Sequence, residues 1–263
     1  MKAWRLPGAA AAPLAEEGPA AAALWEAGAS AVWVDGADLV GYFADEAVAP
    51  PGPGRWEAVD GRDHVATYLA SLTPVDAGAV VVAPTHREAR LRAGQQVVWL
   101  DPGMAFGTGH HETTRLALEA LGRLPLAGRR VLDVGAGSGL LAIAADKLGA
   151  ADAWGLDVDP DTVSVARANA ALNRSRARFV AGAFGEVPVV PTVDVLVANL
   201  YAELHAALLP AYAAAAAAGA DLLLTGILDA RAHLVRSAVP AALRWVDERR
   251  DGDWWLLHLR QEG

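Results

Sequence analysis

The chain has 263 residues, 54% of them hydrophobic and 20% charged, so it can bury a sizeable core and is not a disordered polymer. Its formal charge of −9 argues against a sequence-independent grip on nucleic acid, which needs basic side chains to neutralise phosphates. It has no cysteine, which excludes disulfides, thiolate nucleophiles and cysteine-ligated metals and fits a cytoplasmic protein.

The first predicted elements are a strand at 2–6, an alanine-rich helix near 20–27, and strands at 31–34 and 39–43 whose Asp35-Gly36 joint signals a hairpin. Through residue 60 there are three basic residues against eight acidic ones, so over half of the net charge falls in under a quarter of the length. Such a surplus suits a solvated face or a docking surface for a basic partner. Pro50-Pro51-Gly52-Pro53-Gly54 then interrupts regular structure. The reading is a small domain over 1–49, a linker over 50–75 and a larger domain over 76–263.

In the larger domain short β-branched runs alternate with helical stretches. Strands are predicted at 129–134, 154–157, 178–180, 193–198 and 221–227, and helices at 112–122, 139–148, 161–173, 202–218 and 229–240. This alternation predicts an α/β fold, a doubly wound and mostly parallel sheet with helices on both faces. Runs at 243–249 and 254–260, joined by Arg250-Asp251-Gly252-Asp253, predict a closing hairpin whose last strand is antiparallel. No run of about 18 strongly apolar residues occurs, so no membrane span is expected; the alanine tract 213–218 is closed by Asp221.

Residues 131–139 read VLDVGAGSG, a strand running into three glycines and a helix. Gly135 permits a sharp turn, Gly137 puts no side chain between a ligand and the backbone, and Gly139 allows close helix packing. Asp157 ends the next predicted strand, 22 residues after Gly135, where an acid can accept hydrogen bonds from both hydroxyls of an adenosine ribose. The spacing is G-x-G-x-G, since position 140 is Leu, whereas a dinucleotide pyrophosphate wants G-x-G-x-x-G and a free helix N-terminus. The shorter motif favours S-adenosyl-L-methionine over NAD.

Upstream, residues 101–114 read DPGMAFGTGHHETT and lead into a helix starting near Glu112. Thr114 and the unpaired amides of the first turn can hold a carboxylate, and Phe106 can shield a sulfonium from water. His110-His111 lacks a second ligand one helical turn away, so no metal is expected. Asn199 closes the run VDVLVAN at the carboxyl end of the fourth strand, where an amide can hold an amine in line with a methyl–sulfur bond. Tyr201, Glu203 and His205 follow as candidates to approach the acceptor.

DPGMAFGTGHHETT, VLDVGAGSG, LDVDP and VANLYAEL together resemble the ribosomal protein L-eleven methyltransferases, also called protein methyltransferase A, and the first string is the most specific. The resemblance implies a ferredoxin-like substrate-recognition domain followed by a seven-stranded class I methyltransferase domain. It implies methyl transfer from S-adenosyl-L-methionine to lysine ε-amines and the N-terminal α-amine of that basic ribosomal protein. Thr114, Gly135, Asp157 and Asn199 match the family's cofactor contacts. One departure is Thr73, which stands where the family tends to carry a lysine. Neither nucleic acid nor membrane is expected as a partner, and a monomer is expected. The rival readings are a methyltransferase for another amine, such as a protein glutamine or a nucleic-acid base, an NAD-dependent oxidoreductase, and a non-catalytic cofactor-binding protein. Base and glutamine methyltransferases usually show Asn-Pro-Pro-Tyr where this chain has Asn199-Leu200-Tyr201-Ala202.

Overall fold

The computed structural model of the chain describes residues 2–9, 19–27, 29, 31–43, 52–58, 72–101, 109–187 and 192–262. They divide into two compact units, 1–72 and 73–263.

In the first unit β1 (Lys2–Leu6) lies between β3 (Asp38–Phe43) and β4 (Arg55–Ala58), and β2 (Ala31–Asp35) pairs with the outer side of β3. The order β2-β3-β1-β4 is antiparallel throughout, and α1 (Pro19–Glu26) crosses from β1 to β2, the layout expected of a ferredoxin-like domain. Trp4, Leu6, Leu24, Leu39 and Phe43 form its core. The expected linker 50–75 contains β4, because after Gly54 the chain alternates again: Trp56 packs edge-on to Trp4 at 5.2 Å, while Glu57 meets Arg5 at 3.0 Å. The contact boundary falls at 72/73, near the end of the expected linker.

The second unit opens with three strands outside the predicted set, β5 (Val75–Ala77), β6 (Val80–Pro84) and β7 (Gln96–Leu100), in the order β5-β6-β7. No helix separates them, so the strand–helix alternation that marks the later part of the unit is missing here.

The main sheet has seven strands: β8 (Arg130–Val134), β9 (Asp152–Asp157), β10 (Arg178–Ala181), β11 (Val193–Asn199), β12 (Ala216–Leu228), β13 (Leu243–Asp251) and β14 (Trp254–Gln261). Their order is β10-β9-β8-β11-β12-β14-β13, parallel from β10 to β12, with β14 antiparallel to both neighbours as the closing turn requires. Five helices flank it: α2 (Glu112–Leu121), α3 (Leu140–Lys147), α4 (Pro160–Leu172), α5 (Ala202–Ala215) and α6 (Ala232–Ala238). Side chains alternate between the faces. Val131, Val195, Val197 and Leu223 pack with α2, α3 and α4, while Leu132, Leu196, Leu222 and Leu224 pack with α5 and α6.

The alanine tract departs from expectation. The helix predicted through 218 ends at Ala215, and Ala216 pairs with Val193 as the start of β12. Sheet pairing overrides the high helix propensity of alanine there. Among the described residues no helix is long and apolar enough to cross a membrane.

Strand order reverses between β8 and β11, and the register brings the motifs together. Val134 of β8 pairs with Leu156 of β9 and with Ala198 of β11. The next residues, Gly135, Asp157 and Asn199, therefore stand level on three adjacent strands at the carboxyl rim, where doubly wound sheets bind ligands.

Candidate active site

The glycine turn leaves β8 with φ of 76°, 53° and 81° at Gly135, Gly137 and Gly139, conformations that side chains resist. A Cβ at Gly135 would stand 2.6 Å from Leu200 Cδ2. Gly139 does allow the expected close packing, but against other elements: a Cβ there would stand 2.7 Å from Phe179 of β10 and 3.0 Å from Ala166 of α4.

The turn's amides decide which ligand fits. Gly135 and Ala136 N–H both donate to the Leu156 carbonyl at 2.8 and 3.0 Å, and Gly139 N–H donates to the Ala136 carbonyl at 2.8 Å. Gly137 N–H donates to Asp157 Oδ2 at 2.9 Å. A pyrophosphate site aims such N–H groups at the ligand; here those of Gly135, Ala136, Gly137 and Gly139 are engaged inside the protein, and a carboxylate stands beside them. Asp157 Oδ1 accepts from Asp159 N–H at 3.1 Å, which leaves the carboxylate with further lone pairs for hydroxyl donors. The turn fits a nucleoside without phosphate.

Among the described residues, a buried hydroxyl and a buried carboxyl oxygen near the rim lack partners. Thr114 Oγ1, in the first turn of α2, makes no hydrogen bond, and neither does Asp133 Oδ1, whose Oδ2 accepts from Ala142 N–H at 3.2 Å. Burial, together with the charge of Asp157, pushes the Asp133 carboxyl up to about 7. Orphaned buried polar atoms of this kind call for a ligand. They fit the polar amino-acid end of S-adenosyl-L-methionine.

Asn199 is anchored on its nitrogen side. Its Nδ2 donates to Thr113 Oγ1 at 3.0 Å, and that hydroxyl lies 2.8 Å from Nδ1 of His111, the N-cap of α2. With Nδ2 engaged, Oδ1 is the acceptor of the pair, and Gly226 keeps it clear. A Cβ there would stand 2.8 Å from Asn199 Oδ1 and 2.5 Å from the Leu200 carbonyl. Gly226, with φ of 83°, sits in a register shift of β12.

The structure brings Gly135, Gly137, Asp157 and Asn199 to one rim and adds Thr114 at the head of α2. Phe106 lies outside the described residues. Of the acceptor-side candidates, Tyr201 is 72% exposed and Glu203 meets Arg231 at 3.7 Å on the surface. His205 is a correction. It is fully buried, its Nε2 bonds the Thr225 carbonyl at 2.8 Å, and burial lowers its pKa to about 4, so it stays neutral and holds the backbone behind Asn199. Thr113, Asp133 and Gly226 were not singled out from sequence. The signal for Gly226 was available, because a lone glycine inside the apolar run LLLTGI marks a bulge or a close approach.

The family pattern of ribosomal protein L11 methyltransferase (PrmA) matches residues 17–262. The chain belongs to that family. It is 47% identical over 255 residues to the ribosomal protein L11 methyltransferase of Deinococcus radiodurans, covering 91% of this chain and 93% of that one. It is 45% identical over 236 residues to that of Thermus thermophilus, covering 89% and 91%. A crystal structure of ribosomal protein L11 methylase from Lactobacillus delbrueckii subsp. bulgaricus superposes with a TM-score of 0.68 at 28% identity, covering 73% of this chain and all of that one. This methyltransferase has the class I fold, and its cofactor is S-adenosyl-L-methionine.

Proposed function

We propose that this methyltransferase methylates amines of ribosomal protein L11, the lysine ε-amines and the N-terminal α-amine. The observation that carries the amine reading is the fixed amide of Asn199, level with Gly135 and Asp157 at the rim, with Nδ2 tied to Thr113 and Oδ1 kept clear by Gly226. The relatives' names supply the protein that bears the amine.

S-adenosyl-L-methionine supplies a methyl group on a sulfonium. In this reading Asp157 accepts from its ribose hydroxyls, Gly135 and Gly137 let it approach the backbone, and Thr114 takes its carboxylate. Phe106 shields the sulfonium. Asn199 Oδ1 accepts a hydrogen bond from the acceptor amine and aims its lone pair, so the main contribution is orientation. The amine must be neutral, although a free lysine has a pKa of about 10.4. His205 is occupied by Thr225, so the chain relies on desolvation rather than on that imidazole. The amino-terminal unit recognises the substrate, and the acid surplus of residues 1–60 suits a basic ribosomal protein.

The test is incubation with labelled S-adenosyl-L-methionine and hypomethylated ribosomal proteins, followed by peptide mapping. Label on lysine and α-amino groups of L11 is expected, with a rate that rises with pH as the amine deprotonates. Label on glutamine or on ribosomal RNA overturns the assignment.

A further inference from the structure

Among the described residues β7 is an edge strand, paired with β6 on one side only. Two asparagines of the α4 segment replace the missing neighbour on its other side. Asn173, the C-cap, accepts from Trp99 N–H at 2.8 Å and donates to the Trp99 carbonyl at 2.6 Å. Asn169 accepts from Asp101 N–H at 3.4 Å. The spacing is matched: four helical residues rise about 6 Å, and two strand residues span about 6.6 Å. Both side chains are buried, at 2% and 5% exposure.

The two asparagines differ in where the second half of the amide goes. Asn173 uses both ends on Trp99, and its Nδ2 also donates to the Asn169 carbonyl, one turn back in its own helix, at 2.8 Å. Asn169 turns its Nδ2 away from β7 and donates at 2.9 Å to the carbonyl of Ser138, inside the glycine turn. That turn has three glycines in left-handed conformations. The other turn bonds noted above run to Leu156, to Asp157 or within the turn itself. Asn169 alone among these partners reaches the turn from a helix, and its amide also reaches Asp101, where the string DPGMAFGTGHHETT begins.

We propose that Asn169 is a positioning residue for cofactor binding, which fixes the glycine turn against the end of β7 through one amide, whereas Asn173 only secures the fold. The inference rests on cofactor binding at the turn and is independent of the methylated substrate.

The test compares Asn169→Asp with Asn173→Asp in the full chain. Each change keeps the acceptor for a backbone N–H, of Asp101 or of Trp99, and replaces the amide donor with an oxygen. Calorimetry with S-adenosylhomocysteine, thermal melting, and KM and kcat for S-adenosyl-L-methionine are read for both. Asn169→Asp is expected to raise Kd and KM about tenfold with kcat changed less than about threefold. Asn173→Asp is expected to lower the melting temperature similarly while leaving Kd and KM within about threefold. Equal changes of Kd in the two variants, or a kcat loss at unchanged Kd, overturn the proposal. If Asn169→Asp does not fold, Asn169→Ser decides the matter: a raised Kd supports the proposal and an unchanged one overturns it.

Discussion

The two ends of the central sheet treat buried polar groups in opposite ways. Towards the amino ends of the parallel strands, Asp221 is 1% exposed and is saturated by Arg129 at 2.7 Å, His258 at 2.8 Å and Arg260 at 2.6 Å. Burial alone would raise its pKa, but the hydrogen bonds from His258, Arg129 and Arg260 outweigh that and hold the carboxyl well below the usual range. Asp194 is similarly held by Arg130 at 3.0 Å. At the carboxyl ends, Thr114 Oγ1 and Asp133 Oδ1 are buried with no partner, and glycines with positive φ replace side chains. One end stabilises the fold; the other keeps polar groups open for a ligand, as functional sites do at some cost in stability.

Substitutions at the two ends should therefore separate activity from stability. The largest effect is expected for Asn199→Ala at the carboxyl rim, with kcat falling about 10²- to 10³-fold. Cofactor affinity should survive at least in part, as calorimetry with S-adenosylhomocysteine would report. Undiminished methylation removes Asn199 from the chemistry.

Next in size is Asp221→Ala at the opposite end. It leaves three cationic or polar donors without their buried acceptor, and a loss of about 3 kcal/mol in unfolding free energy is expected. Denaturant melts measure the loss, and turnover per folded molecule should be unchanged. A matching fall in kcat would break the contrast between the two ends.

Asp133 offers a pH test. Its folded pKa, about 7, lies above the ordinary value, so the native state retains a proton that the unfolded chain has released. Stability should fall as pH rises from about 4 to 7, by about 1.4 kcal/mol per pH unit in mid-range. Asp133→Asn should flatten that slope in urea melts across the window. A slope that the substitution leaves unchanged would sink this assignment.

The smallest effect is expected for Gly226→Ala, which crowds Asn199 Oδ1 and strains a left-handed residue. A loss of about tenfold in kcat/KM is expected, with a melting temperature lower by a few degrees. Unchanged kinetics would mean that Gly226 does not keep the acceptor clear.

Much of the methyltransferase unit is legible in the chain itself. Apolar runs such as VLDV and VDVLVA read as buried parallel strands because both faces are covered, and the turn before β14 predicts its reversed direction. The α2 start at Glu112 and the α4 start near 161 follow from local capping chemistry, supplied by His111 and Asp159. Less legible were β4, which follows a Pro/Gly run, and β5 to β7, which have no intervening helices. His205 shows how sequence proximity misleads: six residues beyond Asn199, it faces the core instead of the acceptor.

Local order alone determined the glycine turn, the acid 22 residues on, the amide ending the fourth strand and the alternation of strands with helices. These depend on backbone conformation and side-chain type within a few residues, which the chain carries wherever it folds. Only the tertiary structure decided that Asn199 leans on Thr113 from 86 residues away, that Gly226 clears its carbonyl, and that Asn169 joins Ser138 to Asp101. Sheet register and helix docking create those contacts, and no local preference specifies them.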